Sequence, residues 1–143
     1  MKIYPSTAEH YIAIAAVWQQ SVLATHHFLS PDFTIITKPL LIQDYLPQVD
    51  VFHVTNNRDE IIGFIGVANQ KIEMLFIHPD VFGKGIGKLL LQFAIHELSA
   101  HTVDVNEQNK NAVGFYLKMG FKQIGRSEKD AQGNDYPILH LSL

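Results

Sequence analysis

The sequence predicts an α+β fold: one domain on a mixed, mostly antiparallel central sheet flanked by helices, with one parallel strand pair. Three observations lead there. Stretches with strand character, Val51–Thr55, Ile61–Ala68 and Ile72–Ile77, follow one another across short polar turns, the pattern of an antiparallel meander. The third stretch then runs through a glycine-rich turn into a long helix and another strand, and such a unit closes right-handed with its two strands parallel. The last segment, Lys122 to Leu143, reads as a closing hairpin. A chain of 143 residues with 47% hydrophobic content can bury one full core but is short for two, so a single domain is expected over 1–143.

Lys2 to Tyr4 is a short β-prone piece, stopped by Pro5. Ser6-Thr7-Ala8-Glu9 fits a capping box, with Ser6 as N-cap and Glu9 reaching back to its amide. The helix that follows, to about Val22, is expected to turn Ile12, Ala15, Ala16 and Val22 to the core and Glu9, Gln19 and Gln20 to water. Trp18, the only tryptophan, reads as a core anchor. In Ala24–Ser30 the residues His26, His27 and Phe28 stand side by side at a helix end or in a loop. Neighbours in sequence diverge on a helix, so a two-histidine metal site is not expected there. Pro31 suits the first position of another helix, patterned to Gln48 by Leu40, Leu41 and Leu46. Pro39 is expected to kink or split that helix and to push Lys38 toward extended geometry.

Asn56-Asn57-Arg58-Asp59 is the turn of the first hairpin, and Gly63 and Gly66 inside its second strand imply a bulge or a close backbone approach. Asn69-Gln70 turns the chain into Ile72, Met74, Phe76 and Ile77, an apolar run expected of a strand covered on both faces. Beyond His78-Pro79-Asp80, Gly83, Gly85 and Gly87 alternate with Lys84, Ile86 and Lys88, and Leu90, Phe93, Ala94 and Leu98 recur at helical spacing. Glycines clear side chains from a ligand's path, so the unpaired N–H groups at the helix mouth, its positive dipole end and two lysines form a site for phosphate. A P-loop would need glycine at Phe82 and Ser or Thr at Leu89, and a dinucleotide fingerprint would need glycine at Lys88, so both are excluded. His101 to Glu107, with Val103 and Val105 alternating with polar residues, reads as the parallel partner of Ile72–Ile77. Where two such strands diverge, a cleft opens at their carboxyl ends. The next helix should end at Gly120 in a left-handed residue, and Phe121 should lead into the hairpin Gln123–Ser127 and Pro137–Leu143.

Composition removes several classes of function. A net charge of −3 with interspersed signs gives no basic face for nucleic acid or for a membrane surface. The absence of cysteine excludes disulfides, thiolate nucleophiles and cysteine metal sites. The N-terminus lacks a signal-peptide core, and no apolar run approaches the roughly 20 residues that cross a bilayer, so the expected location is the cytoplasm.

PDVFGKGIGKLLL resembles the acyl-CoA-binding motif of the GCN5-related N-acetyltransferase (GNAT) family: Arg or Gln, two variable residues, Gly, any residue, then Gly or Ala. Gly85 and Gly87 match, Gly83 and Lys84 are the variable pair, and Phe82 departs from Arg or Gln. VDVNEQNKNAVGFYLKMGF resembles the second signature of the family through Asn109, Ala112, Phe115, Tyr116, Lys118, Gly120 and Phe121. Together the two motifs and the strand order make the resemblance close over 61–126 and loose over the whole chain. The resemblance implies a GNAT-like N-acetyltransferase domain whose splayed parallel strands form an acetyl-CoA cleft. It implies acetyl-CoA as co-substrate without a metal, and an amine acceptor as the other partner of a monomer or homodimer.

Residue by residue, the resemblance implies that Leu75, Phe76 and Ile77 border the thioester, with a backbone N–H near Phe76 or Ile77 as oxyanion donor. Gly83, Lys84, Gly85, Ile86, Gly87 and Lys88 would hold the phosphates, and Asn109 the pantetheine or its pyrophosphate end. Tyr116 would protonate the leaving thiolate. The segment joining the first two helices would line the acceptor pocket through His26, His27 and Phe28. Glu73, an acid on the central strand, is the first candidate for the base that frees the amine, with Asp104, Asn106 and Glu107 as rivals. Phe82 also motivates an alternative, an acyl-CoA-binding module or sensor without turnover. The acceptor is left open between metabolite and peptide amines, to be decided by Ala24–Gln48 and Arg126–Tyr136.

Overall fold

A computed structural model, which describes residues 2–143, contains a seven-stranded sheet. Its strands are β1 (Ile3–Pro5), β2 (Asp50–Thr55), β3 (Ile61–Ala68), β4 (Lys71–Ile77), β5 (Thr102–Asn106), β6 (Lys122–Ser127) and β7 (Ile138–Ser142), in the order β1-β2-β3-β4-β5-β7-β6. Every neighbouring pair is antiparallel except β4 and β5. This is the mixed α+β sheet expected from the sequence. The closing hairpin forms, but its second strand inserts between β5 and β6, so β7 is paired on both sides.

Period-two alternation sends the side chains of the central strands β2, β3 and β4 into two separate cores. Phe64, Val51, Met74 and Phe76 pack with α1 (Tyr11–Thr25) and α2 (Phe33–Leu40), around Ile14, Trp18 and Leu46. Ile62, Ile65, Ile72 and Val103 pack with α3 (Ile86–Glu97) and α4 (Lys110–Lys118), around Leu90, Leu91 and Phe121. Strands covered in this way read as nearly continuous apolar runs, which is how β3 and β4 appear in the sequence.

Local chemistry revises several expectations in the first half. The capping box lies one residue later: the Thr7 amide donates to His10 Nδ1 at 2.9 Å, while the Ser6 hydroxyl is spent on His53 Nδ1 at 2.6 Å. The core face of α1 is Ile14, Ala15, Val17, Trp18, Ser21 and Val22, whereas Ile12 is 73% exposed and Ala16 is also outside. Apolar residues surround that helix so evenly that their spacing does not fix its phase. Pro31 lies in the turn before α2, whose N-cap is Asp32. Pro39 remains inside the helix and Lys38 stays helical. The missing proline N–H falls on the wet side, beside exposed Ile35, and the chain beyond widens to a π turn over Leu41–Tyr45.

Across the sheet from β4 to β6 runs a polar row. Lys71 Nζ donates to Asp104 Oδ2 at 2.6 Å, His140 Nδ1 lies 2.7 Å from Asp104 Oδ1, and His140 Nε2 lies 2.7 Å from Ser127 Oγ. Burial raises the Asp104 carboxyl, but hydrogen bonds from Lys71 and His140 outweigh it and hold its pKa below the usual carboxylate value. A depressed carboxylate stabilises the fold above its unfolded pKa, and that stabilisation disappears as pH falls through the folded pKa. Asp104→Asn should therefore cost about 0.5–1 kcal/mol at pH 7, as for other half-exposed pairs. In denaturant titrations the difference from wild type should shrink as pH falls below the ordinary carboxylate range and through the lowered pKa of Asp104.

Candidate active site

The splay has a local cause. Val67 pairs with Ile72 and Gly66 with Met74, which leaves Glu73 as the extra residue of a β-bulge in β4. Bulges bend a strand and increase its twist. Pairing with β5 stops at that point, being confined to Lys71↔Thr102 and Ile72↔Val103. Gly66 permits this geometry, since a Cβ there would lie 3.0 Å from Val49 Cγ2. Gly63 permits another close approach, as its Cβ would meet Ile77 Cδ1 at 2.9 Å and Ile86 Cγ2 at 3.2 Å.

Beyond the bulge a cavity of about 680 Å³ opens between the diverging strands, the glycine turn, α4 and the end of α1. Strand alternation determines which amides face it. The His78 amide donates to Ile62 O at 2.8 Å, toward β3, so the Ile77 and Leu75 amides point the other way, into the gap left by β5. Phe76, one of the two donors expected from the sequence, points its amide at β3, so of the two only the Ile77 amide faces the gap, together with that of Leu75.

At the far end, α3 begins on Gly85 with φ 82° and no capping side chain, and the first helical bond runs from the Leu89 amide to Gly85 O. The amides of Ile86, Gly87 and Lys88 are left for a ligand. Gly83 and Gly85 have positive φ, and a Cβ on either would meet nothing within 4 Å, so the helix mouth is open. Lys88 lines the cavity, whereas Lys84 is exposed in the turn beyond its wall. Phe82 borders the same mouth.

Tyr116 lies between these ends. Its ring is 6% exposed, packed edge-on against Phe115 and Phe121 at centroid distances of 5.2 and 5.4 Å. Burial pushes the phenol pKa far above its ordinary value, so the group is a proton donor at any working pH. Asn109 caps α4 through Oδ1, which accepts from the Ala112 amide at 3.3 Å, and its Nδ2 reaches His26 Nε2 at 3.3 Å. His26 Nδ1 lies 2.7 Å from Thr25 Oγ1, whose hydroxyl donates to Ser21 O at 2.8 Å.

The sequence-predicted residues Leu75, Phe76, Ile77, Gly83, Gly85, Ile86, Gly87, Lys88, Asn109, Tyr116, Glu73 and His26 all border this one cavity. His27 and Phe28 do not border it; Phe28 packs against His26 at 5.3 Å and edge-on against Tyr136 at 5.9 Å. Of the rivals, Asp104 and Asn106 border the cavity and Glu107 does not; the Asp104 carboxylate is taken up by Lys71 and His140, and that of Glu107 by the Arg126 guanidinium through two bonds of 3.0 Å. Thr25 and Ser21 were not singled out in the sequence, and only their adjacency to His26 in a helical turn hinted at them. Among the described residues no cluster of His, Asp or Glu is arranged to hold a metal, and no helix is long and apolar enough to cross a membrane.

The family model described as "Acetyltransferase (GNAT) domain" matches residues 32–136. The chain belongs to the GNAT acetyltransferases. It is 44% identical over 128 residues to the peptidyl-lysine N-acetyltransferase YjaB of Salmonella typhimurium, covering 90% of this chain and 88% of that one. The solution structure of apo YjaB from Escherichia coli superposes with a TM-score of 0.87 at 41% identity, over 99% of this chain and 95% of that one. The PaiA N-acetyltransferase of Thermoplasma acidophilum, solved with coenzyme A, shares the fold with a TM-score of 0.74 at 20% identity, over 100% of both chains. This GNAT chain is thus an N-acetyltransferase of a family that uses acetyl-CoA. The cavity combines an uncapped, glycine-opened helix mouth with a strand gap whose free amides lead toward Tyr116.

Proposed function

We propose that this GNAT enzyme acetylates a primary amine by direct attack on acetyl-CoA, and that the acceptor is the side chain of lysine in a peptide or protein. One observation supports the reading: a single cavity is lined by the uncapped mouth of α3, by Leu75 and Ile77 of β4 and by Tyr116. The diphosphate is held by the Ile86–Lys88 amides and Lys88, and Asn109 borders the arm that runs inward. The Ile77 or Leu75 N–H donates to the carbonyl oxygen as negative charge develops on it. Tyr116 protonates the departing sulfur. With no cysteine in the chain, no acetyl-cysteine intermediate forms, and the amine must attack the thioester itself.

Lysine as acceptor is supported by the names of the relatives and by the exposed Glu73 carboxylate at the bulge, placed to draw in an ammonium group. Phe28 and Tyr136, in contact across the outer rim, bring together the two segments expected to set acceptor choice. The test pairs calorimetry of coenzyme A binding with a thiol-release assay on lysine peptides and small amines. Binding with peptide-dependent thiol release is expected. Binding without acceleration by any amine would leave only the acyl-CoA-binding module.

A further inference from the structure

The hydrogen bonds around His26 run in one direction only, and that direction fixes its proton. Asn109 Oδ1 is occupied by the Ala112 amide, so the amide group must present its Nδ2 hydrogens to the other side. There it meets His26 Nε2, which therefore accepts and carries no proton. At the other ring nitrogen, the Thr25 hydroxyl has already given its hydrogen to Ser21 O. Thr25 Oγ1 can then only accept, so His26 Nδ1 holds the proton. Backbone groups at both ends, Ser21 O and the Ala112 amide, lock a single neutral tautomer. Phe28 and Phe76, at 5.3 and 6.3 Å, flank the ring.

We propose that His26 Nε2 is the catalytic base: it takes the proton from the acceptor nitrogen as that nitrogen attacks, displacing Asn109 Nδ2 from the lone pair. The assignment rests on the acetyl-transfer reading above. The step starts from the neutral amine, the ammonium having first lost one proton to water: the N–C bond forms, the C–S bond breaks, the second nitrogen proton passes to His26, and the Tyr116 proton passes to sulfur. His26 then releases its proton to water and Tyr116 regains one. An amine nitrogen becomes far more acidic once it is bonded to the acyl carbon, so a neutral imidazole is basic enough at that moment. Glu73 is less suited, being exposed at the bulge with no hydrogen bond among the described residues to aim it.

Burial, and then the neighbouring His27, hold the His26 pKa below the ordinary imidazole value. The other charged groups around the cavity are Glu73 and Asp104 from the strands, Lys88 from α3 and Lys118 from α4. The base therefore stays competent on the acid side of neutrality, and its own contribution to the fall of kcat/KM should lie below the usual histidine range, on top of the fall that protonation of the acceptor amine imposes on wild type and variants alike.

The test uses His26→Gln and His26→Ala in the full chain with a lysine peptide. Both should bind coenzyme A within about threefold of wild type, lose about 10²-fold in kcat/KM and lose the part of the acid fall that protonation of the acceptor amine does not account for. Added imidazole should restore turnover to the alanine variant. A kcat/KM within about threefold of wild type, or a loss of turnover matched by equal loss of coenzyme A binding, overturns the proposal. A wild-type enzyme that releases no thiol with any peptide overturns the acetyl-transfer reading instead. Long-range proton–nitrogen NMR correlations on wild type check the tautomer without any variant: an Nε2–H ring or an imidazolium at pH 7 also overturns it.

Discussion

Tyr116→Phe is expected to lower kcat by about 10²- to 10³-fold while coenzyme A affinity and folding stay near wild type. The substitution removes one oxygen and nothing else that the core uses. The ring, wedged between Phe115 and Phe121, keeps both edge-on contacts as phenylalanine. The hydroxyl makes no hydrogen bond to the protein among the described residues and faces the cavity, so its loss leaves no orphaned partner. Because burial raises the phenol pKa, the wild-type group stays protonated through the alkaline range, the form that the proposed acid role needs. Stopped-flow thiol release and calorimetry separate the two terms. Equal losses in binding and turnover would make Tyr116 a packing residue; loss of turnover alone makes it the acid.

Much of this site could be read from the sequence because its parts are backbone devices that leave residue-level marks. Gly83, Gly85 and Gly87 advertise an open helix mouth, and Gly66 advertises the bulge that parts β4 from β5. Asn109 marks a cap. Side-chain partnerships across the fold left no such mark. The contact of His26 with Asn109 joins residues 83 positions apart, and nothing local in either segment announces it. Phase was the other blind spot: α1 is apolar nearly all round, so its spacing put Ile12 inward, whereas packing against Phe64 and Met74 selected the Ile14 and Trp18 face. The place of β7 between β5 and β6 was equally silent, because a hairpin has the same sequence whichever of its strands lies inside.

Gly85→Ala and Gly87→Ala should separate the grip on the diphosphate from the stability of the fold. Gly85 has φ 82°, and an L residue held there costs about 1–2 kcal/mol, so the first variant should melt lower. Its methyl would meet no protein atom within 4 Å, so the penalty is backbone strain alone. Gly87 has no positive φ, and its added Cβ would touch Phe115 Cζ at 3.7 Å, an ordinary contact. The second variant should therefore gain up to about 1 kcal/mol of helix propensity. Both methyls crowd the amides that grip the ligand, and each charge-assisted bond lost is worth about 1.5–3 kcal/mol, or roughly 10- to 100-fold in coenzyme A affinity. Gly87→Ala is the sharper case, because stability should rise while affinity falls. Thermal melts and calorimetry on the same preparations read both. If Gly87→Ala binds coenzyme A as wild type does, the mouth of α3 is not where the diphosphate rests, and the order of groups along the cavity would have to be redrawn from the Tyr116 end.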